Sequence, residues 1–176
     1  MPVEIFNTTL AFGTLALQIG AAALFAVFLF RNQLPSLEWK RALLAKWGLW
    51  IALALTLAAS ALTLFYSEVV GFPPCPLCWW QRVFLYPQVV LFALALWKHD
   101  RNVTLYSIAL SVLGLGFALY HHALQVLPSG TLPCPAEGAV SCAQRFIFEF
   151  GYITFPLMSA SLFAFLIVLM LFVRRR

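Results

Sequence analysis

Charged residues in this chain fall in a few short clusters, and between them run apolar stretches about as long as a membrane is thick. A helix rising 1.5 Å per residue needs roughly 20 apolar residues to cross about 30 Å of hydrocarbon. No charge falls between Glu4 and Arg31 or between Lys46 and Glu68, so spans are expected near Thr9–Phe30 and Trp47–Tyr66. Further spans are expected near Leu77–Trp97, Val103–Val126 and Ile153–Val173. The last has Pro156 in its first turn, where proline is tolerated, and stops at Arg174, Arg175 and Arg176. Composition agrees: of 176 residues, 63% are hydrophobic and 10% charged, and the mean hydropathy is +0.92. That is too apolar for a soluble domain of this size. An all-α membrane protein with five spans is expected.

Six acidic residues against eleven basic ones give a net charge of +5, but placement carries more information than the sum. Arg31, Lys40, Arg41 and Lys46 are expected in one loop, Lys98 and Arg101 in another, and three arginines form the tail. The positive-inside rule makes all three cytoplasmic, with the N-terminus out and the C-terminus in. Arg82 and Arg145 are then the only Lys or Arg on the outer side. Basic residues scattered in this way exclude a nucleic-acid reader. The first span leads with Glu4 and has no Lys or Arg before it, so it reads as a retained helix rather than a cleaved signal. The segment Leu127–Phe150 holds Pro128, Gly130, Pro133, Pro135 and Gly138, and is expected to be irregular, with a short interfacial helix over Gln144–Phe150.

On this topology Cys75 and Cys78 lie in one outer loop and Cys134 and Cys142 in the next, facing a compartment where disulfides persist. Cys75-Pro-Leu-Cys78 precedes a helix, where unpaired backbone N–H groups and the helix dipole stabilise a thiolate. Arg82 follows Cys78 by four residues on the same helix face, about 6 Å along the axis, and its cation adds to that stabilisation. The charge-free stretch from Val83 to Trp97 covers only about 22 Å, which puts Arg82 at or just inside the outer boundary. Snorkelling to headgroups is the plain alternative for that arginine. His121 and His122 return to a similar depth on the fourth span and are suited to hydrogen bonding or proton transfer, as are, more weakly, Gln81 and Gln125. A mobile loop pair beside a membrane-anchored pair suggests a thiol–disulfide relay. Spacing alone does not exclude two static disulfides that pin the outer loops.

Taken together, Cys75-Pro-Leu-Cys78-Trp-Trp-Gln-Arg82, Tyr120-His121-His122, Cys134…Gly138-Ala-Val-Ser-Cys142 and Phe150-Gly-Tyr-Ile-Thr-Phe-Pro156 resemble the DsbB/BdbC family of bacterial disulfide-bond formation proteins. The resemblance runs from roughly Trp47 to the C-terminus. It implies a four-helix transmembrane bundle over residues 37–176, with residues 1–36 an extra N-terminal transmembrane helix and the start of the basic loop. It implies a location in the bacterial cytoplasmic membrane and a partner, a DsbA-type thioredoxin-fold dithiol oxidase outside the cytoplasm. Electrons would pass through both cysteine pairs to a quinone, ubiquinone or menaquinone. By matching position, Cys134 would take the mixed disulfide with the partner and Cys142 would be its loop mate. Cys75 would exchange with the loop pair, and Cys78 would face the quinone beside Arg82, with His122 near the quinone region. The Cys134–Cys142 spacing is that of short-loop members, which argues against a large loop rearrangement.

Three rival readings can be distinguished. A vitamin K epoxide reductase-like protein places its loop cysteines before the C-x-x-C, the reverse of the order here. A four-cysteine zinc site does not suit the gap between Cys134 and Cys142, so no metal is assigned. A membrane scaffold with structural disulfides is the main non-enzyme alternative, and it would show no thiol turnover.

Overall fold

The computed structural model describes residues 2–30, 38–128, 131–134 and 140–174, among which are five α-helices and no β-strand. They are α1 (Pro2–Leu29), α2 (Glu38–Leu64), α3 (Pro76–Lys98), α4 (Val103–Val126) and α5 (Phe155–Arg174). Arg31, Gly130, Pro135, Gly138, Arg175 and Arg176 lie outside the described residues. Helix α4 has the bounds expected from sequence. By contrast α2 begins at Glu38, so Lys40, Arg41 and Lys46 lie within a helix and not in a loop. Lysine and arginine are good helix formers, and the hydrogen-bonded ladder continues past the apolar run that sequence marks. At its far end α2 passes through a π-helical turn, Phe65–Val69, and stops at Gly71 with φ 80°. Glycine enters that left-handed conformation without strain, and the Phe72 N–H closes the turn on the Tyr66 carbonyl at 2.9 Å.

Among the described residues four segments are long and apolar enough to cross a membrane: Glu4–Leu29, Ala42–Val69, Val103–Val126 and Phe155–Arg174. The exception, α3, carries Gln81, Arg82 and Gln88, all buried against its neighbours. Its 23 residues still reach about 35 Å. Exposed Trp79 and Trp97 stand about 27 Å apart along it, the separation of two interfacial aromatic belts. The chain is a helical membrane bundle.

In that bundle α2, α3, α4 and α5 each pack on the next, and α5 closes the ring against α2. Helix α1 lies outside the ring on α5, which is why α5 buries residues nearly all round, from Ala160 and Phe163 to Met170 and Val173. Two small residues permit the closest approaches. A Cβ on Gly114 would sit 2.5 Å from the Phe163 ring, and one on Gly48 would sit 2.4 Å from Val173. Polar links hold α1 in register: Gln18 donates to Ser161 Oγ at 3.0 Å and accepts from the Tyr152 hydroxyl at 3.1 Å, and Asn7 accepts from the Tyr66 hydroxyl.

Between α3 and α4 the fully buried Gln88 accepts from Ser107 Oγ at 2.7 Å and donates to the Phe84 carbonyl at 3.1 Å and to Ser111 Oγ at 3.2 Å. In hydrocarbon these groups have no water to turn to. Gln88→Leu should therefore cost about 1 kcal/mol of bundle stability in a reversible unfolding titration in mixed micelles, the scale of interhelical hydrogen bonds in membranes. An unchanged midpoint would mean that the network holds nothing.

The up-and-down course puts the start of α2, the end of α3, the start of α4 and the end of α5 at one end of the bundle, with Lys46, Lys98, Arg101 and Arg174. All four cysteines are at the other end.

Candidate functional site

An aromatic brace joins the two cysteine-bearing segments. Phe72, three residues before Cys75, stacks on Phe146, four residues after Cys142, with ring centroids 4.7 Å apart. Tyr66, in the π-helical turn after α2, packs edge-on against Phe155 at the start of α5, also at 4.7 Å, and stacks on Phe72 at 5.9 Å. Such ring pairs each contribute roughly 0.5–1.5 kcal/mol beyond area burial. The segment expected as a helix, Gln144–Phe150, is not helical. Glu149 and Ile153 exchange two backbone hydrogen bonds of 2.9 Å across a turn with Gly151 at φ 77°, and the Gln144 carbonyl accepts from Gln125 Nε2 at 2.9 Å. Those tertiary bonds replace the ladder that a short helix would need.

Cys75 caps the N-terminus of α3, a position where serine, threonine and aspartate usually serve. Its backbone is extended, Pro76 follows at the first helical position, and its carbonyl accepts from the Cys78 N–H at 3.0 Å. Cys75 and Cys78 are thiols with sulfurs 3.1 Å apart, whereas Cys134 and Cys142 are joined as a disulfide. Cys75 is 3% exposed and Cys142 1%, and both belong to one cluster around Leu77 and Leu124; Cys134 is exposed. The loop disulfide thus has one sulfur facing outward and one buried beside the C-x-x-C pair.

His121 ties the two pairs together. Its Nε2 lies 3.5 Å from Cys75 Sγ and 3.1 Å from the Cys142 carbonyl, and Gln81 Nε2 lies 2.9 Å from its Nδ1. The hydrogen bond from Cys78 and then the His121 contacts outweigh burial and hold the Cys75 thiol well below the usual thiol range. A group whose folded value lies below its unfolded one adds stability that is complete above the unfolded thiol's range. That stability is lost as pH falls through the folded value. Removing His121 takes away part of the stabilisation, so in His121→Ala the pH midpoint of Cys75 thiolate ultraviolet absorbance should move upward. The Cys134→Ser/Cys142→Ser background isolates the signal, and an unmoved midpoint would mean that His121 does not act on Cys75.

The fold does not gather all the residues singled out from sequence. Cys75, Cys78, His121, Gln81, Gln125 and Cys142 come together. Arg82 is buried, but its guanidinium donates to the Thr63 carbonyl on α2 at 2.8 Å and lies 5.1 Å over the Trp79 ring. His122 turns to the segment just before α5, where its Nδ1 lies 2.9 Å from Thr154 Oγ1. Of the adjacent histidines it is His121 that reaches a cysteine, and neighbouring positions on a helix point about 100° apart. The available sequence signal was Gln125, one turn beyond His121 on the same face, with its Nε2 3.5 Å from His121 Nε2. Beside the loop disulfide lies a cavity of about 300 Å³, lined by Leu124, Leu127, Pro128, Leu132, Cys134 and Cys142 among others.

Comparison with known proteins bears on this site. Residues 44–173 match the family described as "Disulfide bond formation protein DsbB". A "Probable disulfide formation protein C" of Halalkalibacterium halodurans is 36% identical over 128 residues, 73% of this chain and 91% of the relative. The "SPbeta prophage-derived disulfide bond formation protein B" of Bacillus subtilis is 44% identical over 102 residues, 58% of this chain and 68% of the relative. A "Probable disulfide formation protein" of Chlamydia pneumoniae is 33% identical over 129 residues, 73% of this chain and 93% of the relative. No solved structure matches.

Proposed function

The chain belongs to the DsbB family of membrane disulfide bond formation proteins, and on that premise we propose that it reoxidises an extracytoplasmic DsbA-type dithiol protein and passes the electrons to a membrane quinone. The observation that carries this reading is the burial of Cys142 beside Cys75, linked through His121, while Cys134 stays exposed. A partner thiolate attacks Cys134 Sγ, the Cys134–Cys142 bond breaks, and Cys142 leaves as a thiolate. With Cys75–Cys78 oxidised, Cys142 attacks Cys75 Sγ and Cys78 leaves as a thiolate. The second partner thiol then resolves the mixed disulfide, releasing an oxidised partner and a Cys134 thiolate. Attack of Cys134 on Cys142 re-forms the loop disulfide and leaves Cys75 as a thiolate. The pair of thiols with an intact loop disulfide is the arrangement that results. The cavity beside the loop disulfide suits the partner segment that delivers the attacking thiol.

A quinone supplies the two-electron, two-proton acceptor that returns Cys75 and Cys78 to the disulfide. The residues present fit one: Cys78 is half-buried, Trp79, Trp80 and Val83 face outward beside it, and the Arg82 guanidinium has five donors, of which one bonds Thr63. Arg82 would orient an acceptor oxygen there and stabilise the negative charge that develops on it. His122, which lies against Thr154, is kept only as the weaker quinone contact that the family resemblance implies. Both cysteine pairs lie outside the cytoplasm of a bacterial cell, a sidedness supported by the basic residues at the opposite end of the bundle. The residues before 37 are an addition to the four-helix unit that makes the relay.

The test is quinone reduction by the purified protein in detergent, supplied with a reduced thioredoxin-fold dithiol protein. Turnover should vanish in Cys78→Ser and Cys134→Ser. Arg82→Met should raise the KM for quinone about tenfold or more, the worth of a hydrogen bond to a charged group. No turnover with ubiquinone or menaquinone, and both cysteine pairs resisting reduction, would leave a scaffold with structural disulfides.

A further inference from the structure

We infer that Cys75, Cys78 and His121 form a binding site for a thiophilic divalent cation, Zn²⁺ in chemical class, whenever the two cysteines are reduced. The three ligand atoms all lie within 4.8 Å of one another, with Cys75 Sγ 3.1 Å from Cys78 Sγ and 3.5 Å from His121 Nε2. With bonds of about 2.3 Å to sulfur and about 2.0–2.1 Å to nitrogen, a tetrahedral site holds its ligand atoms roughly 3.5–3.8 Å apart. Closing the third separation, which lies within 4.8 Å, by about an ångström and opening the sulfur pair by roughly half of that converts the cluster into three corners of that tetrahedron. The C-x-x-C spacing is the one zinc ligand pairs use.

The surroundings carry the inference further. A metal-bound histidine needs its other ring nitrogen held, and the Gln81 carboxamide lies 2.9 Å from His121 Nδ1. With its oxygen turned to that nitrogen, Gln81 accepts from Nδ1–H and frees the Nε2 lone pair for the metal. Gln125 is 6% exposed, and its Oε1 has no hydrogen-bond partner among the described residues. The same carboxamide has its Nε2 3.5 Å from His121 Nε2, so a buried side chain with a spare acceptor borders the histidine end of the cluster and could accept from a metal-bound water. Zn²⁺ with two thiolates and a neutral imidazole is uncharged overall, which suits a buried site. Both cysteines bind as thiolates, so any proton that the pair still carries is released on binding. His121 gives up its contact with the Cys142 carbonyl to reach the metal.

The consequence for turnover rests on the proposed relay: metal on the reduced pair blocks its reoxidation and loosens its tie to Cys142. The site itself rests on geometry alone. The full chain with Cys134→Ser and Cys142→Ser, which leaves only Cys75 and Cys78 as sulfur ligands, is titrated with Co²⁺ as a spectroscopic probe and then Zn²⁺. Reduced protein should take one equivalent, with sulfur-to-cobalt charge transfer and tetrahedral d–d bands. The disulfide form should take none, a contrast that needs no further mutation. His121→Ala, with folding checked by thermal melting, should weaken binding by 10-fold or more. No binding by reduced protein at micromolar metal, or equal affinity in folded His121→Ala, overturns the site. In the wild type, Zn²⁺ should stop quinone reduction and a chelator should restore it. Metal bound with turnover unaffected would overturn the relay through Cys75 and leave the site standing, whereas turnover without metal binding would do the reverse.

Discussion

Cys142→Ser will slow partner reoxidation by roughly a thousandfold or more, on the scale of losing one member of a catalytic unit, and its free Cys134 thiolate will capture a single-cysteine partner supplied as its mixed disulfide with thionitrobenzoate: thionitrobenzoate leaves, and the Cys134–partner disulfide, with no second partner thiol to resolve it, is visible on a non-reducing gel. Exposed Cys134 remains open to the partner, while the buried sulfur that the proposed relay uses to pass electrons inward is gone. Cys134→Ser should lose turnover to the same extent and trap nothing. The contrast between the two tests the order of the relay rather than the mere need for cysteines. Trapping on Cys142 in Cys134→Ser, or equal trapping in both, would reverse the assignment.

The largest expected loss of stability is at Gly114→Leu. The first added carbon alone would sit 2.5 to 2.8 Å from three atoms of the Phe163 ring, and Phe163 is itself buried between α4 and α5. Overpacking of this kind costs about 1–3 kcal/mol, and the clash with an aromatic ring in a tight helix pair puts it at the upper end. Gly116, two residues along, meets nothing within 4 Å of an added Cβ, so Gly116→Ala should be close to neutral or slightly stabilising as a better helix former. Thermal melts in detergent should separate the two variants clearly. Equal melts would mean that α4 and α5 pack differently. Because α4 also carries His121, Gly114→Leu should lower turnover along with stability.

Helix existence and membrane class were legible because the bilayer imposes one strong rule: a spanning segment must be long, apolar and internally hydrogen-bonded. Charge gaps therefore placed all five helices, and α4 to the residue, although Lys40 and Arg41 extend α2 beyond the apolar run. The family was legible from short motifs whose cysteines and arginine have fixed local spacing. The least apolar helix, α3, was legible as the gap between Glu68 and Lys98 in spite of Arg82, and the glutamines and arginine that weaken its signal are those buried against α2 and α4.

What sequence by itself determined was periodic or contiguous: the spans, the C-x-x-C at a helix start, and a second cysteine pair in an irregular segment. What tertiary structure alone decided was rotational and long-range. Whether His121 or His122 meets Cys75 depends on the rotation of α4, set by Gly114 closing on Phe163 and by packing on α3. Which loop sulfur is buried depends on the stacking of Phe72 on Phe146 across seventy-odd residues of chain. Local propensity cannot encode either, because neighbouring side chains on a helix differ by about 100° in direction and only contact with another helix selects among them.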